Sequence, residues 1–347
     1  NKLISGVKNL IQNYNEIEKK RANLDFDIDG IVYKVNDFNL QKRLGNVANA
    51  PRWAIAHKFS SNKATSEIND IEIQVGRTGA LTPVAKIKPI NIGGVLVSNA
   101  TLHNEDEIIR KDIRIDDTVT VERAGDVIPH VVSVDVSKRK NTSKKFIFPK
   151  KCPCGYDTIK EFNKVTKKFD AIRRCPDRGF ECNRIAKEKL KHFVSKEAFN
   201  IDGLGKKIIE NFWKLDLIKL PQDIFKLDYE KIQKLDGWGK LSADNLKYSI
   251  DEKKQISFER FIYSLGIRHI GLENAKLLSK YFGSFQNFKN LSKNYNYNDL
   301  MNIDGIGEAQ VISIKNFFLK NINIKILNEL DKLLNIQDAK IINTKGL

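Results

Sequence analysis

A Gly-x-Gly pattern recurs through the second half of this chain at nearly constant spacing. Ile201-Asp202-Gly203-Leu204-Gly205 is followed by Leu235-Asp236-Gly237-Trp238-Gly239. A looser copy, Leu265-Gly266-Ile267-Arg268-His269-Ile270-Gly271, comes next, and Ile303-Asp304-Gly305-Ile306-Gly307 is the last. The closing glycines fall at 205, 239, 271 and 307, in steps of 34, 32 and 36 residues. A period in the thirties constrains architecture before any other signal, because each unit must bury its apolar side against its neighbours. Residues at helical spacing flank the copies: Phe258, Phe261, Ile262 and Leu265 before the third, Val311, Ile314 and Phe318 after the fourth. Each unit therefore reads as helix, tight glycine turn, helix. Glycine suits such a turn because it reaches positive φ and lets another backbone come close. The turn also leaves free N–H groups at the start of the next helix, where the helix dipole favours an anion.

A plain stack of helices would explain the period but not the charge. Sixty Lys and Arg against 43 Asp and Glu give a net charge of +17, which suits a polyanionic partner. The turns resemble the helix-hairpin-helix family of DNA-binding motifs. By that resemblance Gly203, Gly205, Gly237, Gly239, Gly271, Gly305 and Gly307 are expected to grip a nucleic-acid backbone. At 347 residues and 41% hydrophobic content the chain can hold two or three folded domains. No apolar run approaches the ~18 residues of a membrane span, and no signal peptide is recognisable. No membrane partner is expected, and a cytoplasmic, nucleoid-associated location is. The chain opens on Asn1 and not on Met, so residues preceding it are expected.

All four cysteines, Cys152, Cys154, Cys175 and Cys182, fall within one short stretch. Such clustering favours a metal site in a reducing compartment over secreted disulfides. Four thiolates suffice for a tetrahedral structural zinc ion; the alternative is four free thiols in a collapsed loop. Only Pro153 separates the first pair, which is expected to narrow its bite and weaken coordination by Cys152 or Cys154. His192 is the candidate substitute ligand.

The first half reads differently. The pattern predicts a helix over 2–24, with Val7, Leu10, Ile11, Tyr14 and Ile17 on one face, and strands at Ile28–Val35 and Trp53–Phe59. Further strands are expected at Ile71–Val75, Pro83–Ile90, Val95–Leu102, Thr118–Arg123 and His130–Val136. Gly76, Gly79, Gly93-Gly94, Asp116-Asp117 and Gly125-Asp126 punctuate them. Five short strands in so few residues suit a small closed barrel such as an OB-fold. A basic linker, Lys138 to Lys145, separates it from the cysteines.

Strand alternation places Gly30, Val32 and Lys34 on one face, and Ala54, Ala56 and Lys58 on one face of the next strand. Two lysines framed by small or apolar residues could meet one phosphate, or could simply be solvated. The pattern alone favours two solvated lysines, and a family resemblance carried by the surrounding residues implies the first reading. Asp29-Gly30-Ile31-Val32-Tyr33-Lys34-Val35 and Ala50-Pro51-Arg52-Trp53-Ala54-Ile55-Ala56-His57-Lys58-Phe59 resemble the last two nucleotidyltransferase motifs of bacterial NAD-dependent DNA ligases. Gln74-Val75-Gly76-Arg77-Thr78-Gly79-Ala80-Leu81-Thr82-Pro83 is similar to the opening of that family's OB domain. Val97-Ser98-Asn99-Ala100-Thr101-Leu102-His103-Asn104 and Arg123-Ala124-Gly125-Asp126-Val127-Ile128-Pro129 belong to the same pattern. Four cysteines and four glycine hairpins follow in the family's order, although the family's first pair is usually C-x₂-C.

The resemblance implies a multidomain α+β chain. Residues 1–60 would be the end of a nucleotidyltransferase (adenylation) domain, 61–149 an OB-fold barrel and 150–186 a zinc module. Residues 187–335 would form an all-α helix-hairpin-helix domain, and 336–347 a linker. It implies nick sealing with NAD, Mg²⁺ (or Mn²⁺) and structural Zn²⁺, by a monomer acting on nicked double-stranded DNA. Lys34 and Lys58 would contact the nucleotide phosphate, with Asp29 the carboxylate beside them and Arg21 a further phosphate contact. Arg77, Thr78, Arg123, Val127 and Ile128 would meet DNA. The family's adenylated lysine lies in a K-x-D-G motif upstream of these segments. The literal match here, Lys234-Leu235-Asp236-Gly237, is in register with the other glycine hairpins and is expected to be a turn. These 347 residues are therefore expected not to adenylate themselves unless a missing N-terminal half is supplied. The competing reading is a non-catalytic DNA-binding protein reusing the same modules. A hairpin-bearing nuclease lacks an acidic metal cluster here.

Overall fold

A computed structural model describes residues 1–339 except 27, 48–49, 124–127, 164–166, 177–178 and 294–295. The chain divides into two compact units, one of Asn1–Gln74 with Thr82–Phe148, the other of Val75–Leu81 with Pro149–Leu347.

The first unit begins with α1 (Val7–Lys20), shorter than the expected helix, with Gly6 at φ 85 before it. Its apolar face is not buried: Val7 is 71% and Ile11 50% exposed. Leu10, Tyr14 and Ile17 on that face are half-buried, with Tyr14 stacked on His57 at 3.9 Å between centroids. Next come β1 (Gly30–Lys34) and α2 (Phe38–Leu44). The Asp37 carboxylate caps α2, accepting from the N–H of Asn39 and Leu40, and Gly45 at φ 66 ends it. The two-residue strands β2 (Asn46–Val47) and β3 (Ala50–Pro51) pair with each other. β4 (Ala54–Lys58) pairs antiparallel with β1.

Five strands then close a barrel in the order β5-β6-β7-β9-β8. They are β5 (Asn62–Val75), β6 (Leu81–Ile92), β7 (Val95–Thr101), β8 (Thr118–Arg123) and β9 (His130–Val134), and α3 (Glu105–Lys111) lies between β7 and β8. Closure leaves no free sheet edge. Alternation fills the interior: Val119 and Val121 of β8 are fully buried, while Thr118 and Thr120 between them are not. Both β5 and β6 run longer than their sequence patterns, because polar residues such as Asn62, Thr65 and Lys86 occupy the outer positions of twisted barrel strands. A buried ion pair locks the barrel's exit. Asp117 is fully buried, and Arg139 holds it with two bonds of 2.8 and 2.9 Å.

The second unit carries a hairpin of β10 (Ile159–Asn163) and β11 (Lys168–Arg174), then α4 (Asn183–Phe193). Helices α5 (Lys206–Lys214), α6 (Tyr229–Ile232), α7 (Lys240–Glu252), α8 (Phe258–Ser264), α9 (Leu272–Phe282), α10 (Phe285–Lys289), α11 (Glu308–Phe318) and α12 (Asn321–Leu333) follow. They share one core running from Leu190 to Leu330. Phenylalanines dominate it. Phe193 stacks on Phe199 at 4.3 Å, and Phe288 meets both Phe258 and Phe318 edge-on. Each buried ring contributes roughly 1.5–3 kcal/mol through the water it excludes. β12 (Gln255–Ser257) and β13 (Asn335–Gln337) form a parallel pair. No described helix is long and apolar enough to cross a membrane.

Candidate functional site

Four turns separate the paired helices, and their two glycines do different jobs. The first takes a left-handed conformation: φ is 81 at Gly203, 75 at Gly237 and 90 at Gly305. In the third turn that place belongs to His269, at φ 62. The third hairpin is therefore Ile267-Arg268-His269-Ile270-Gly271. Gly266, at φ 63, closes the end of α8 through its N–H bond to the Tyr263 carbonyl, which corrects the register of the looser copy. The second glycine is the N-cap of the next helix, with ordinary φ values of −72 at Gly205, −150 at Gly239, −84 at Gly271 and −106 at Gly307. A Cβ on Gly205, Gly239 or Gly271 would meet nothing within 4 Å, and on Gly307 only the Gln310 Oε1 at 3.4 Å. Neither conformation nor internal packing demands glycine there. What the bare N-cap provides is close access to the first N–H groups of α5, α7, α9 and α11. Lys206, Lys207 and Lys240 begin the first two of these helices, and Glu308 begins the last. The positive dressing is thus concentrated on hairpins one and two.

Lys234-Leu235-Asp236-Gly237 is a turn, as its register implied. The Trp238 N–H donates to the Leu235 carbonyl at 3.0 Å, and Gly237 is left-handed.

The strand pair of the first unit brings the two lysines to one face. Gly30 lies opposite Lys58, Val32 opposite Ala56, and Lys34 opposite Ala54, and directly opposed residues in an antiparallel pair share a face. Lys34 and Lys58 sit at its two ends, about 13 Å apart along the strands, so they bracket a ligand's length. Lys58 is ion-paired to Asp29 at 3.3 Å, and both are exposed. Gly30 is required between them: a Cβ there would lie 2.5 Å from the His57 carbonyl oxygen. His57, whose Nδ1 is 3.1 Å from the Tyr33 hydroxyl, packs on the opposite face against Tyr14. Arg21 lies over the Phe59 ring at 5.6 Å.

The cysteines converge. All four Sγ atoms lie within 4.8 Å of one another, and Cys154 and Cys175 are 3.7 Å apart. A tetrahedron with sulfur at ~2.3 Å from its centre has edges of about 3.8 Å, so the donor set fits zinc. The C-x-C pair brings both of its sulfurs into the cluster. A tight turn compensates: the Gly155 N–H donates to the Cys152 carbonyl at 2.8 Å, and Gly155 sits at φ 92. Cys182 N-caps α4. Burial pushes the Cys152 thiol up to about 12 and raises Cys175 further. At Cys154 desolvation is outweighed by the Tyr156 backbone N–H and the neighbouring thiols, so that thiol titrates lower. Ionising all four needs a cation at their centre. His192 does not join them; its Nε2 donates to the Tyr263 carbonyl at 2.8 Å.

Arg77 and Thr78 are half-buried in the β5–β6 turn. They line a cleft of about 1150 Å³ in the second unit with Arg174, Arg268, Lys168 and Lys189. Arg268 pairs with Glu161 at 2.7 Å. Arg123 ends β8, and Ile128 is 72% exposed. Val127 and Gly125 lie outside the described residues. Sequence reasoning did not single out His269, although its place two residues before a closing glycine marks the left-handed position.

Comparisons with known proteins match these parts in order. Residues 1–62 match the NAD-dependent DNA ligase adenylation domain, 65–143 the NAD-dependent DNA ligase OB-fold domain, and 260–327 the helix-hairpin-helix motif. A DNA ligase of Pelagibacter ubique (strain HTCC1062) is 69% identical over 100% of this chain and 52% of its own length. DNA ligases of Xanthobacter autotrophicus and Wolbachia pipientis wMel are 47% and 49% identical over 93% and 96% of this chain, and over 47% and 50% of their own lengths. The chain spans about half the length of the curated relatives it matches.

Proposed function

We propose that this chain, a portion of an NAD-dependent DNA ligase by its sequence, holds nicked duplex DNA and supplies two phosphate-binding lysines to the adenylyl chemistry. The observation that favours this over a non-catalytic DNA binder is the β1–β4 face, where Lys34 and Lys58 bracket an open strand surface and Asp29 pairs with Lys58. DNA grip alone has no use for it. Each ligation step displaces a group at a charged phosphorus. Cations aimed at the growing charge lower that barrier, and removing one donor costs about 2–4 kcal/mol at the transition state. Mg²⁺ (or Mn²⁺) would assist the same neutralisation. Zinc at Cys152, Cys154, Cys175 and Cys182 would be structural, since four thiolates leave no open position. The protein would act as a monomer in the cytoplasm, at the nucleoid.

The bare N-caps of the four hairpins, with Arg123 and Ile128 of the barrel, would follow the DNA backbone without reading sequence. Affinity should then fall steeply with salt; binding unchanged between low and moderate salt would refute this part. For the chemistry, the 347-residue chain is incubated with NAD labelled in its adenylyl group. No labelled protein is expected, because the sole K-x-D-G here is a hairpin turn. A labelled band would overturn that reading. With a polypeptide carrying the rest of the adenylation domain added, nick sealing should appear, and Lys34→Ala or Lys58→Ala should slow it at least tenfold, about 1.4 kcal/mol or more. Sealing indifferent to both lysines would favour the binding-protein reading.

A further inference from the structure

Hairpins three and four lack the lysines that begin α5 and α7. Leu272 and Glu308 open α9 and α11 instead, and Arg268 of the third turn is held by Glu161 at 2.7 Å. What these two hairpins have beside them is apolar surface. The β10–β11 hairpin sets Phe162 directly opposite Phe169, and the rings meet edge-on at 5.2 Å between centroids. Such a cross-strand pair ties two strands together. That explains why the rings meet but not why they are bare: Phe162 is 52% and Phe169 67% exposed. Both line the cleft of about 1150 Å³ in the second unit. A second stripe of α11 lines it too. Ala309, Ile312, Ser313 and Asn316 lie there at helical spacing, apart from Val311, Ile314 and Phe318 in the core. So do His269, the left-handed residue of the third turn, and Glu308, which follows the bare N-cap at Gly307. Two hairpins therefore open onto an apolar cleft. Its rim is cationic: among the described lining residues five Lys and Arg stand against three Asp and Glu. Asp170 is paired with Arg174 at 3.3 Å, while Lys168, next to Phe169, has no ion-pair partner among the described residues.

We propose that Phe162 and Phe169 form an apolar ridge that lies against the sugars and base edges of duplex DNA in its minor groove. The third and fourth hairpins hold the phosphates alongside, and Lys168 meets a neighbouring one. The inference rests on the DNA-holding reading above. A cleft of this composition fits a ligand that is anionic at its margins and apolar between them. The minor groove is such a surface: deoxyribose faces and base edges line it between two rows of phosphate, and phenylalanine is among the side chains proteins press into it. An acidic peptide would match the rim and the rings, but it has no use for the bare N-caps of two adjoining hairpins. Ring contacts of this kind are tolerant of sequence, because every nucleotide offers the same sugar and a flat base. They add affinity at the two hairpins where lysines are missing.

Apolar and ionic contacts answer salt differently, and that difference is the test. Anisotropy titration of a labelled nicked duplex, over a range of salt concentrations, is run on the zinc-loaded chain and on Phe162→Ala, Phe169→Ala and Lys168→Ala. Each phenylalanine variant should bind about tenfold more weakly, and by the same factor at every salt concentration. Lys168→Ala should instead flatten the slope of log affinity against log salt by about 0.9, the share of one phosphate. Urea unfolding and zinc release to a chromophoric chelator should be unchanged in all three, because the substituted side chains are exposed. Where a variant folds poorly, the unsubstituted chain answers alone. With phenylalanine rings protonated in an otherwise deuterated chain, DNA binding should produce cross-relaxation between the Phe162 and Phe169 rings and deoxyribose protons. Affinity indifferent to both rings, the result a peptide occupant would give, would overturn the proposal and leave the DNA-holding reading in place. So would a loss in the phenylalanine variants that fades as salt rises, or rings with no cross-relaxation to sugar. An unsubstituted chain that binds no DNA would overturn both.

Discussion

Within one hairpin the two glycines should separate stability from DNA binding, and the first hairpin is the place to test it. Gly203 sits at φ +81, and a Cβ there would make only an ordinary 3.7 Å contact with Leu246 Cδ1. Gly203→Ala therefore incurs conformational strain alone, roughly 1–2 kcal/mol for a left-handed alanine. In a domain of this size that lowers Tm by roughly 2–8 °C. Gly205 is opposite in every respect. Its φ of −72 and ψ of 176 are those of an ordinary N-cap, and its missing Cβ faces open space. Serine is at least as good an N-cap as glycine, by a few tenths of a kcal/mol, so Gly205→Ser should keep or slightly raise stability. Its side chain would stand where a phosphate must approach, and losing a charge-assisted N–H contact costs about 1.5–3 kcal/mol. That is roughly a ten- to hundredfold weaker Kd. Urea unfolding followed by fluorescence, with anisotropy titration of a labelled nicked duplex at two salt concentrations, measures both. The reasoning fails if Gly205→Ser binds DNA like the unsubstituted chain. It also fails if that variant loses more than about 1 kcal/mol of stability.

Three further outcomes are expected. Arg139→Met should strand the buried Asp117 carboxylate, whose side chain is 0% exposed against 12% for Arg139, and destabilise the barrel by about 3–5 kcal/mol in denaturant unfolding. A loss below 1 kcal/mol would mean that water reaches the site. Gly30→Ala should drive a Cβ to 2.5 Å from the His57 carbonyl oxygen and part β1 from β4, seen as faster amide exchange at Tyr33, which lies in a hydrogen-bonded pair with Ile55. Protection equal to that of the unsubstituted chain would refute the packing argument. Low pH should loosen the barrel surface. Bonds from Lys140 and then Lys88 hold the Glu67 carboxyl down at about 2, and Arg110 followed by Lys111 does the same for Glu107. Folded-state values below the ordinary ~4.3 give stability that is present above that value and lost as pH falls toward 2. Carboxyl NMR titrations of both residues should show midpoints near 2, moving up with added salt because both pairs are largely solvated; midpoints at or above 4 would contradict the ion pairs.

Much of the site was legible because it is local. A positive-φ glycine followed two residues later by an N-cap glycine is a property of five consecutive residues, so Gly203/Gly205, Gly237/Gly239 and Gly305/Gly307 announce themselves. Alternation along Gly30–Lys34 and Ala54–Lys58 likewise put Lys34 and Lys58 on common faces before any pairing was known. Where the local pattern is blurred the reading slips. Gly266 drew the third copy two residues too early, because a histidine occupies the left-handed position that glycine holds elsewhere. The pattern put Val7, Leu10, Ile11, Tyr14 and Ile17 on one face of α1 but said nothing of what covers it, since periodicity records amphipathicity alone.

The amino-acid order alone thus determined three of the four turns, the short strands of the barrel, the cysteine grouping and the identity of Lys234-Leu235-Asp236-Gly237 as a hairpin. All follow from spacing within one element or between neighbours. Tertiary structure alone decided that a C-x-C pair can bring all four sulfurs together, through the left-handed Gly155. It also decided that Arg77 reaches the Gly266 carbonyl, 189 residues away. Contacts between distant segments depend on where two surfaces meet, and no period in the sequence encodes that distance.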